Sequence, residues 1–236
     1  MKAIPSESFK ERVETMNNIK KLSRGELISA IVGMVIGDGC LSKKVQNSKN
    51  NAYYQMTHSI KQMEYFIWKI NILEQIAHGT IHDTKSGKTD IKDCVHFSGK
   101  TNPLFTQLYD RFYFEGKKVV DEYLVKKIDP LALSIIYMDD GTLGKGYKKY
   151  WTKETFYLKL CNFDYANLFL IKKSLKIIFD LDWNINKHST VNGRTYYQLR
   201  LLNAHNQAFV DIVKPYVELI PSMLYKLGSY ANQLNN

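Results

Sequence analysis

The sequence predicts an α+β fold built from two copies of one αββαββα unit, and three observations carry that expectation. The first is a repeat. Residues 31–41 read IVGMVIGDGCL and residues 133–143 read LSIIYMDDGTL; each is an apolar run ending in Asp-Gly, one further residue and Leu. Their aspartates, Asp38 and Asp140, stand 102 positions apart. The second is that the same offset carries other features across. Tyr54 and Met56 land on Phe156 and Leu158, and Val95 and Phe97 land on Tyr197 and Leu199, all in alternating segments. Stretches of helical spacing at 61–77 and 103–114 fall on 163–179 and 205–216. The third is turn chemistry between alternating runs, at 85–88 in the first copy and at Asn192-Gly193 in the second.

In the first copy a helix over about 24–37 opens the unit, with Gly39 expected as its left-handed C-cap. Strands follow near 39–46 and 52–60. A helix near 61–77 places Phe66, Ile70, Leu73 and Ile76 on one face, and Gly79 ends it. Strands near 80–85 and 90–98 form a hairpin, and a helix near 103–114 closes the unit. The second copy repeats this order, and its hairpin turns at Asn192-Gly193, the strongest short hairpin cue. The expected organisation is an extension over 1–23, units over 24–115 and 130–236, and a linker over 116–129.

The 236 residues are 44% apolar and 13% aromatic, enough for a substantial core. No apolar run approaches the roughly 18–20 residues of a membrane span, and the first 20 residues lack the apolar stretch of a secretory signal. Cys40, Cys94 and Cys161 are too few and too scattered for a disulfide framework, so inert thiols in a reducing compartment are expected. The net charge of +10 divides evenly, +6 over 1–128 and +4 over 129–236, without a basic tail. Such a balance raises the prior for a polyanionic partner.

Gly33 and Gly37 lie four apart on one helix face, and Ala30 extends that small surface, so a second helix can approach closely there. If the two opening helices pack together, their C-terminal ends bring Asp38 and Asp140 side by side. Helix C-termini each carry roughly half a negative charge, so the two carboxylates repel unless a cation sits between them. Oxygen donors favour Mg²⁺, with Mn²⁺ as a substitute, over zinc. Gly37 and Asp139 flank the pair as further candidate donors.

Alternation assigns the strand faces. With Tyr197, Leu199 and Leu201 inward, Arg194, Tyr196, Gln198 and Arg200 point outward together. Arg and Gln suit bidentate readout of guanine and adenine in the major groove. The matching outward sets are Lys92, Cys94, His96 and Ser98; Tyr53, Gln55 and Thr57; and Thr155, Tyr157 and Lys159. Loops with Lys43 and Lys44, and with Lys145, Lys148 and Lys149, suit phosphate contacts.

The paired runs around Asp38-Gly39 and Asp140-Gly141, with the duplicated unit over about 24–228, resemble the monomeric, two-motif LAGLIDADG homing endonucleases. The resemblance implies saddle-shaped antiparallel sheets on a long DNA duplex, a central two-helix interface, and cleavage of both strands across the minor groove. It implies that Asp38 and Asp140 are the metal-binding catalytic aspartates, and that Asp139 serves helix packing or shielding rather than coordination. The second copy departs from the first, with Ile135 where Gly33 stands and Met138 where the family pattern has Asp. The family also places a lysine near each active site: Lys226, in IPSMLYKL, resembles the second and Lys118 the first. His58 falls where the family holds a polar residue of the water network, whereas its counterpart at the repeat offset is Leu160. The expected activity is Mg²⁺-dependent hydrolysis of double-stranded DNA by a monomer. The alternatives are an intron-RNA-binding maturase and a non-catalytic DNA-binding regulator on the same scaffold. A glycosidase with paired carboxylates fits the basic charge poorly, and an intein lacks room for its splicing domains.

Overall fold

The computed structural model describes residues 20–43, 51–84, 93–148 and 151–232, with main chain alone at 145–148 and 151–153. Two helices form its centre, α1 (Arg24–Ile36) and α5 (Pro130–Asp140). α1 starts in a capping box, Ser23 Oγ accepting from Glu26 N while Glu26 Oε2 accepts from Ser23 N. α5 starts on Asp129, whose Oδ1 accepts from Ala132 N, with Pro130 in the first turn. Residues 29–36 of α1 and 131–138 of α5 are all buried. A helix apolar all round must be covered on every side, and these two are covered by each other and by the strands and helices of their own halves. Gly33 lies against the Ala132 backbone so closely that a Cβ would stand 2.7 Å from the Ala132 carbonyl oxygen. Ala132 is the repeat counterpart of Ala30, so small residues from both copies build the crossing.

Each half contributes one four-stranded antiparallel sheet. In the first, β1 (Cys40–Lys43), β2 (Ala52–Ser59), β3 (Gly79–Thr84) and β4 (Cys94–Gly99) take the order β1-β2-β4-β3. In the second, β7 (Gly141–Lys148), β8 (Trp151–Leu158), β9 (Trp183–Val191) and β10 (Arg194–Leu201) take the same order, β7-β8-β10-β9. The helices α2 (Met63–Leu73), α3 (Pro103–Phe112), α6 (Tyr165–Phe179) and α7 (Asn206–Val217) cover the inner faces. Tyr54 against Phe105 in one half and Phe156 against Phe209 in the other show the same packing twice. The core is continuous through both halves.

Several local expectations are corrected. Gly39 is not left-handed; the positive-φ glycines among the described residues are Gly116, Gly193 and Gly228. Gly39 is required for space instead, because a Cβ there would collide with the Tyr54 hydroxyl and lie 2.7 Å from the Met34 carbonyl oxygen. The helix expected over 61–77 begins with a 3₁₀ turn, Ile60–Gln62, and its α-helical part ends at Leu73; Gly79 opens β3 rather than ending a helix. α3 stops at Phe112, since 113–118 fold into a tight hairpin of β5 (Tyr113–Phe114) and β6 (Lys117–Lys118). Left-handed Glu115 and Gly116 make its turn. Past it lies the short helix α4 (Glu122–Val125). The loop expected to carry Lys145 and Lys148 is strand, paired with β8 as far as Lys148 opposite Trp151. The Asn192-Gly193 turn forms as expected, with φ of 48° and 76°.

Candidate active site and nucleic-acid interface

The C-terminal ends of α1 and α5 lie side by side, and Asp38 and Asp140 stand there. The Asp38 amide donates to Asp139 Oδ2 at 3.2 Å, across the junction of the two helix ends. Burial raises the Asp140 carboxyl, the charges of Asp38 and Asp139 raise it further, and it reaches about 7 from an ordinary 3.8. The Asp38 carboxyl is likewise raised, first by burial and then by Asp139, although the residue is exposed overall. Lys118 and Lys226 oppose both shifts. Partly desolvated carboxylates at two negative helix ends are hard oxygen donors whose mutual repulsion a divalent cation would offset.

Lys118 sits on β6, and its Nζ donates to the carbonyl oxygens of Val35 at 2.7 Å, in the last turn of α1, and of Gly39 at 3.2 Å, just past it. Lys226, in the 3₁₀ segment Pro221–Asn232, donates to Gly141 O at 2.6 Å, just past α5. Tyr137 fixes the second lysine from behind, its hydroxyl donating to Lys226 O at 2.5 Å. Burial lowers both ammonium groups from their ordinary 10.5, and the aspartates partly restore them. Both lysines singled out in the sequence therefore face the aspartate pair, one at each helix end.

A family model for the LAGLIDADG DNA endonuclease family matches residues 28–209, a span that holds both motifs and both sheets. The chain belongs to this family. It is thereby an endonuclease-type hydrolase by descent. It is 27% identical over 230 residues to the cytochrome b mRNA maturase bI2 of Debaryomyces hansenii, covering 93% of this chain and 80% of that protein. It is 26% identical over 213 residues to the DNA endonuclease I-ChuI of Chlamydomonas applanata, covering 84% of this chain and 92% of that protein. It spans 45% of the length of the Mycolicibacterium chitae protein RecA, to which it is 30% identical over 203 residues. The same fold occurs in the homing endonuclease I-WcaI, solved bound to its DNA recognition sequence, with a TM-score of 0.67, 21% identity, and coverage of 96% of this chain and 94% of that one.

Within this LAGLIDADG site two further residues separate the halves. His58 is buried at 3% exposure, edge-on to Tyr65 and Phe66, with Nδ1 3.3 Å from Gln62 Oε1 and Nε2 lacking any hydrogen-bond partner. Desolvation lowers its imidazole to about 4, so the ring is neutral. One ring nitrogen of His58 and one oxygen each of Asp38 and Asp139 lie within 4.8 Å of one another. Asp139 carries a contact that sequence reasoning missed: Lys69 Nζ lies 2.7 and 2.9 Å from its two carboxylate oxygens. The available signal was a lone lysine inside residues 65–73, which are otherwise nearly continuously apolar. The Gly37 carbonyl lies 3.5 Å from Lys118 Nζ.

The outward strand faces are those expected except at Thr155. Tyr53, Gln55 and Thr57 alternate with buried Ala52, Tyr54, Met56 and His58. Gln55 donates to Ser42 Oγ at 2.9 Å, and Thr57 Oγ1 lies 2.8 Å from His96 Nδ1. On β10, Arg194, Tyr196, Gln198 and Arg200 lie opposite the buried Leu199 and Leu201, and the Arg194 guanidinium stands 5.2 Å from the Tyr196 ring centroid. A bulge at the Tyr196/Tyr197 register shift leaves that alternation intact because the extra residue is on β9. Tyr157 pairs opposite Arg200. Lys159 is exposed just past β8, with its amide on Asp140 O at 2.9 Å. Thr155, expected outward, is instead 6% exposed and bonded to Asn203 Oδ1. Lys43 lies on β1 rather than in a loop, its Nζ 2.6 Å from Asp110 Oδ1 and over the Tyr109 ring. Lys44, Lys92 and Lys149 lie outside the described residues, as do the side chains of Lys145 and Lys148.

Proposed function

We propose that this LAGLIDADG protein is a site-specific homing endonuclease that hydrolyses both strands of a long DNA duplex as a monomer, using Mg²⁺ or Mn²⁺ at Asp38 and Asp140. The observation that carries the reading is the Asp38 and Asp140 pair at two adjacent helix ends, its carboxyls raised by burial and by neighbouring acidic charge, with half-buried Lys118 at one end and buried Lys226 at the other. The donor set fits a hard divalent ion: two carboxylates that repel one another, with main-chain carbonyls beside them. When bound, such an ion lowers the pKa of water and offsets charge on the leaving oxygen. Asp38 and Asp140 would hold it, one carboxylate from each unit, so that each strand would have a carboxylate of its own. Lys118 and Lys226, held rigidly by carbonyl groups, present positive charge to the pentavalent phosphate of in-line hydrolysis. The outward faces of the two sheets, led by Arg194, Gln198, Arg200, Tyr53 and Gln55, read the duplex.

The central helix interface lies within one chain, between units we place at 24–115 and 130–236, which supports action as a monomer. A second reading, an RNA-binding maturase, is favoured by the 27% identity to a cytochrome b mRNA maturase across most of both chains.

The test is cleavage of duplexes selected from a randomised library, with Mg²⁺, Mn²⁺, Ca²⁺ or EDTA. Asp38→Asn and Asp140→Asn should each abolish double-strand cleavage while leaving duplex affinity within a few fold. Normal cutting by both variants would overturn the assignment. Tight binding to intron RNA without duplex cleavage would favour the maturase reading.

A further inference from the structure

The two aspartates are held in different ways. α5 runs through Asp140, so that residue is fixed by its own helix. α1 stops at Ile36, short of Asp38. Gly37 N still bonds Gly33 O at 3.0 Å and Gly39 N bonds Met34 O at 2.8 Å, but the Asp38 amide between them reaches across the interface to Asp139 Oδ2 at 3.2 Å. Asp139 is clasped in turn by Lys69, and both side chains of that pair have 0% exposure. The Lys69 ammonium also stands 4.7 Å from the Tyr65 ring centroid, and the Tyr65 hydroxyl donates to Ile135 O at 3.3 Å. Gly37 makes room for this arrangement, since a Cβ there would collide with the Asp139 carboxylate.

None of it recurs in the other half. At the repeat offset Lys69 corresponds to Ile171, Tyr65 to Asn167, and Asp139 to Gly37. Ile171 is simply part of the core. A buried ion pair adds little net stability over an apolar pair of equal volume, because desolvating two charges offsets their attraction. Stability alone therefore gives little reason for a lysine here, whereas the bond from Asp139 to the Asp38 amide does.

We propose that the Lys69–Asp139 pair is a positioning device for Asp38 alone, so that the two DNA strands are cut with unequal dependence on it. The proposal rests on the endonuclease reading above. Without the acceptor, the turn at 37–39 loses its cross-interface tether. A displacement of about 1 Å at a reacting group is enough to cost roughly 100-fold in rate.

Two double variants separate positioning from packing. Lys69→Met with Asp139→Asn, and Lys69→Met with Asp139→Leu, both remove the ion pair at similar volume, but only Asn keeps a carbonyl oxygen for the Asp38 amide. On a selected duplex labelled on either strand, the ratio of the two strand-cutting rates should stay near the wild-type ratio with Asn and shift by about tenfold or more with Leu. Nicked duplex should accumulate in the Leu variant. Amide exchange at Asp38, read by NMR on the free protein, should quicken with Leu and not with Asn. Gly37→Ala, whose methyl group displaces the Asp139 carboxylate while Lys69 stays in place, should skew the strands in the same sense and covers the case in which the Leu variant does not fold. Equal slowing of both strands, or unchanged Asp38 exchange, overturns the proposal. A wild-type protein that cuts neither strand sinks the endonuclease reading instead, and the exchange result still decides whether Asp139 tethers Asp38.

Discussion

Gly25 and Gly33 lie on one helix and should answer the same substitution in opposite directions. A Cβ on Gly25 meets nothing nearer than Ser23 Oγ at 3.9 Å, whereas one on Gly33 meets the Ala132 Cα at 2.8 Å. Gly25→Ala should therefore stabilise by about 0.5–1 kcal/mol, and Gly33→Ala should destabilise by about 1–3 kcal/mol as α1 and α5 are pushed apart. Urea titrations of the two variants check both signs. Asp140 makes a prediction in pH. Its folded pKa of about 7 stands above the ordinary 3.8, so its stabilising contribution is present below 3.8 and lost as pH rises through about 7. Asp140→Asn should thus melt higher than wild type at pH 8 without divalent ions, with the difference shrinking below pH 7. Added Mg²⁺ should raise the melting temperature of wild type more than that of the variant. His58 has the opposite sign: lowered to about 4 from 6.5, its contribution is present above pH 6.5 and lost as pH falls through about 4. His58→Leu, which copies Leu160 of the other half, should flatten that acid-side loss in thermal melts.

At the scale of elements, the two central helices end on lysines that arrive from elsewhere. β6 exists only because left-handed Glu115 and Gly116 reverse the chain after α3, and that reversal carries Lys118 to the carbonyls at the C-terminal end of α1. A 3₁₀ segment does the same for Lys226 at α5. Lys118→Met and Lys226→Met should each lower single-turnover cleavage by about 100-fold or more while duplex affinity changes little. Comparable losses in binding would make the lysines phosphate contacts instead. The helix pair was legible in the sequence because an apolar run ending in Asp-Gly recurs at a fixed offset. The role of Gly39 was not, because its spacing fits a left-handed cap equally well, and only the Tyr54 hydroxyl packed over it shows that room is what it supplies. Lys69 escaped notice because helical periodicity records where apolar residues fall, not which lone cation among them meets a carboxylate from the other half.

For the molecule as a whole, the +10 charge is divided between the two halves of the chain, +6 over 1–128 and +4 over 129–236, rather than gathered in a tail. Duplex affinity should fall with salt along a log–log slope of about −5 to −9 if roughly 6–10 phosphates are contacted. Arg200→Ala should relax specificity at one or two base pairs at a cost of about 1–3 kcal/mol if the contact is bidentate. Uniform weakening on all sequences, with a shallower salt slope, would mark Arg200 as a phosphate contact.

The sequence by itself determined the duplication, the alternating strand faces and the paired aspartates, because periodicity, turn chemistry and a 102-residue offset are properties of the chain read in order, whereas the two lysines were marked only by the family resemblance. Only the tertiary structure decided how unequal the halves are. Asp140 is fixed within its own helix, whereas Asp38 leans on Asp139 and Lys69 across the interface. Those contacts join residues 70 and 101 positions apart, and such pairings arise when two helices meet, at a distance no local pattern can encode.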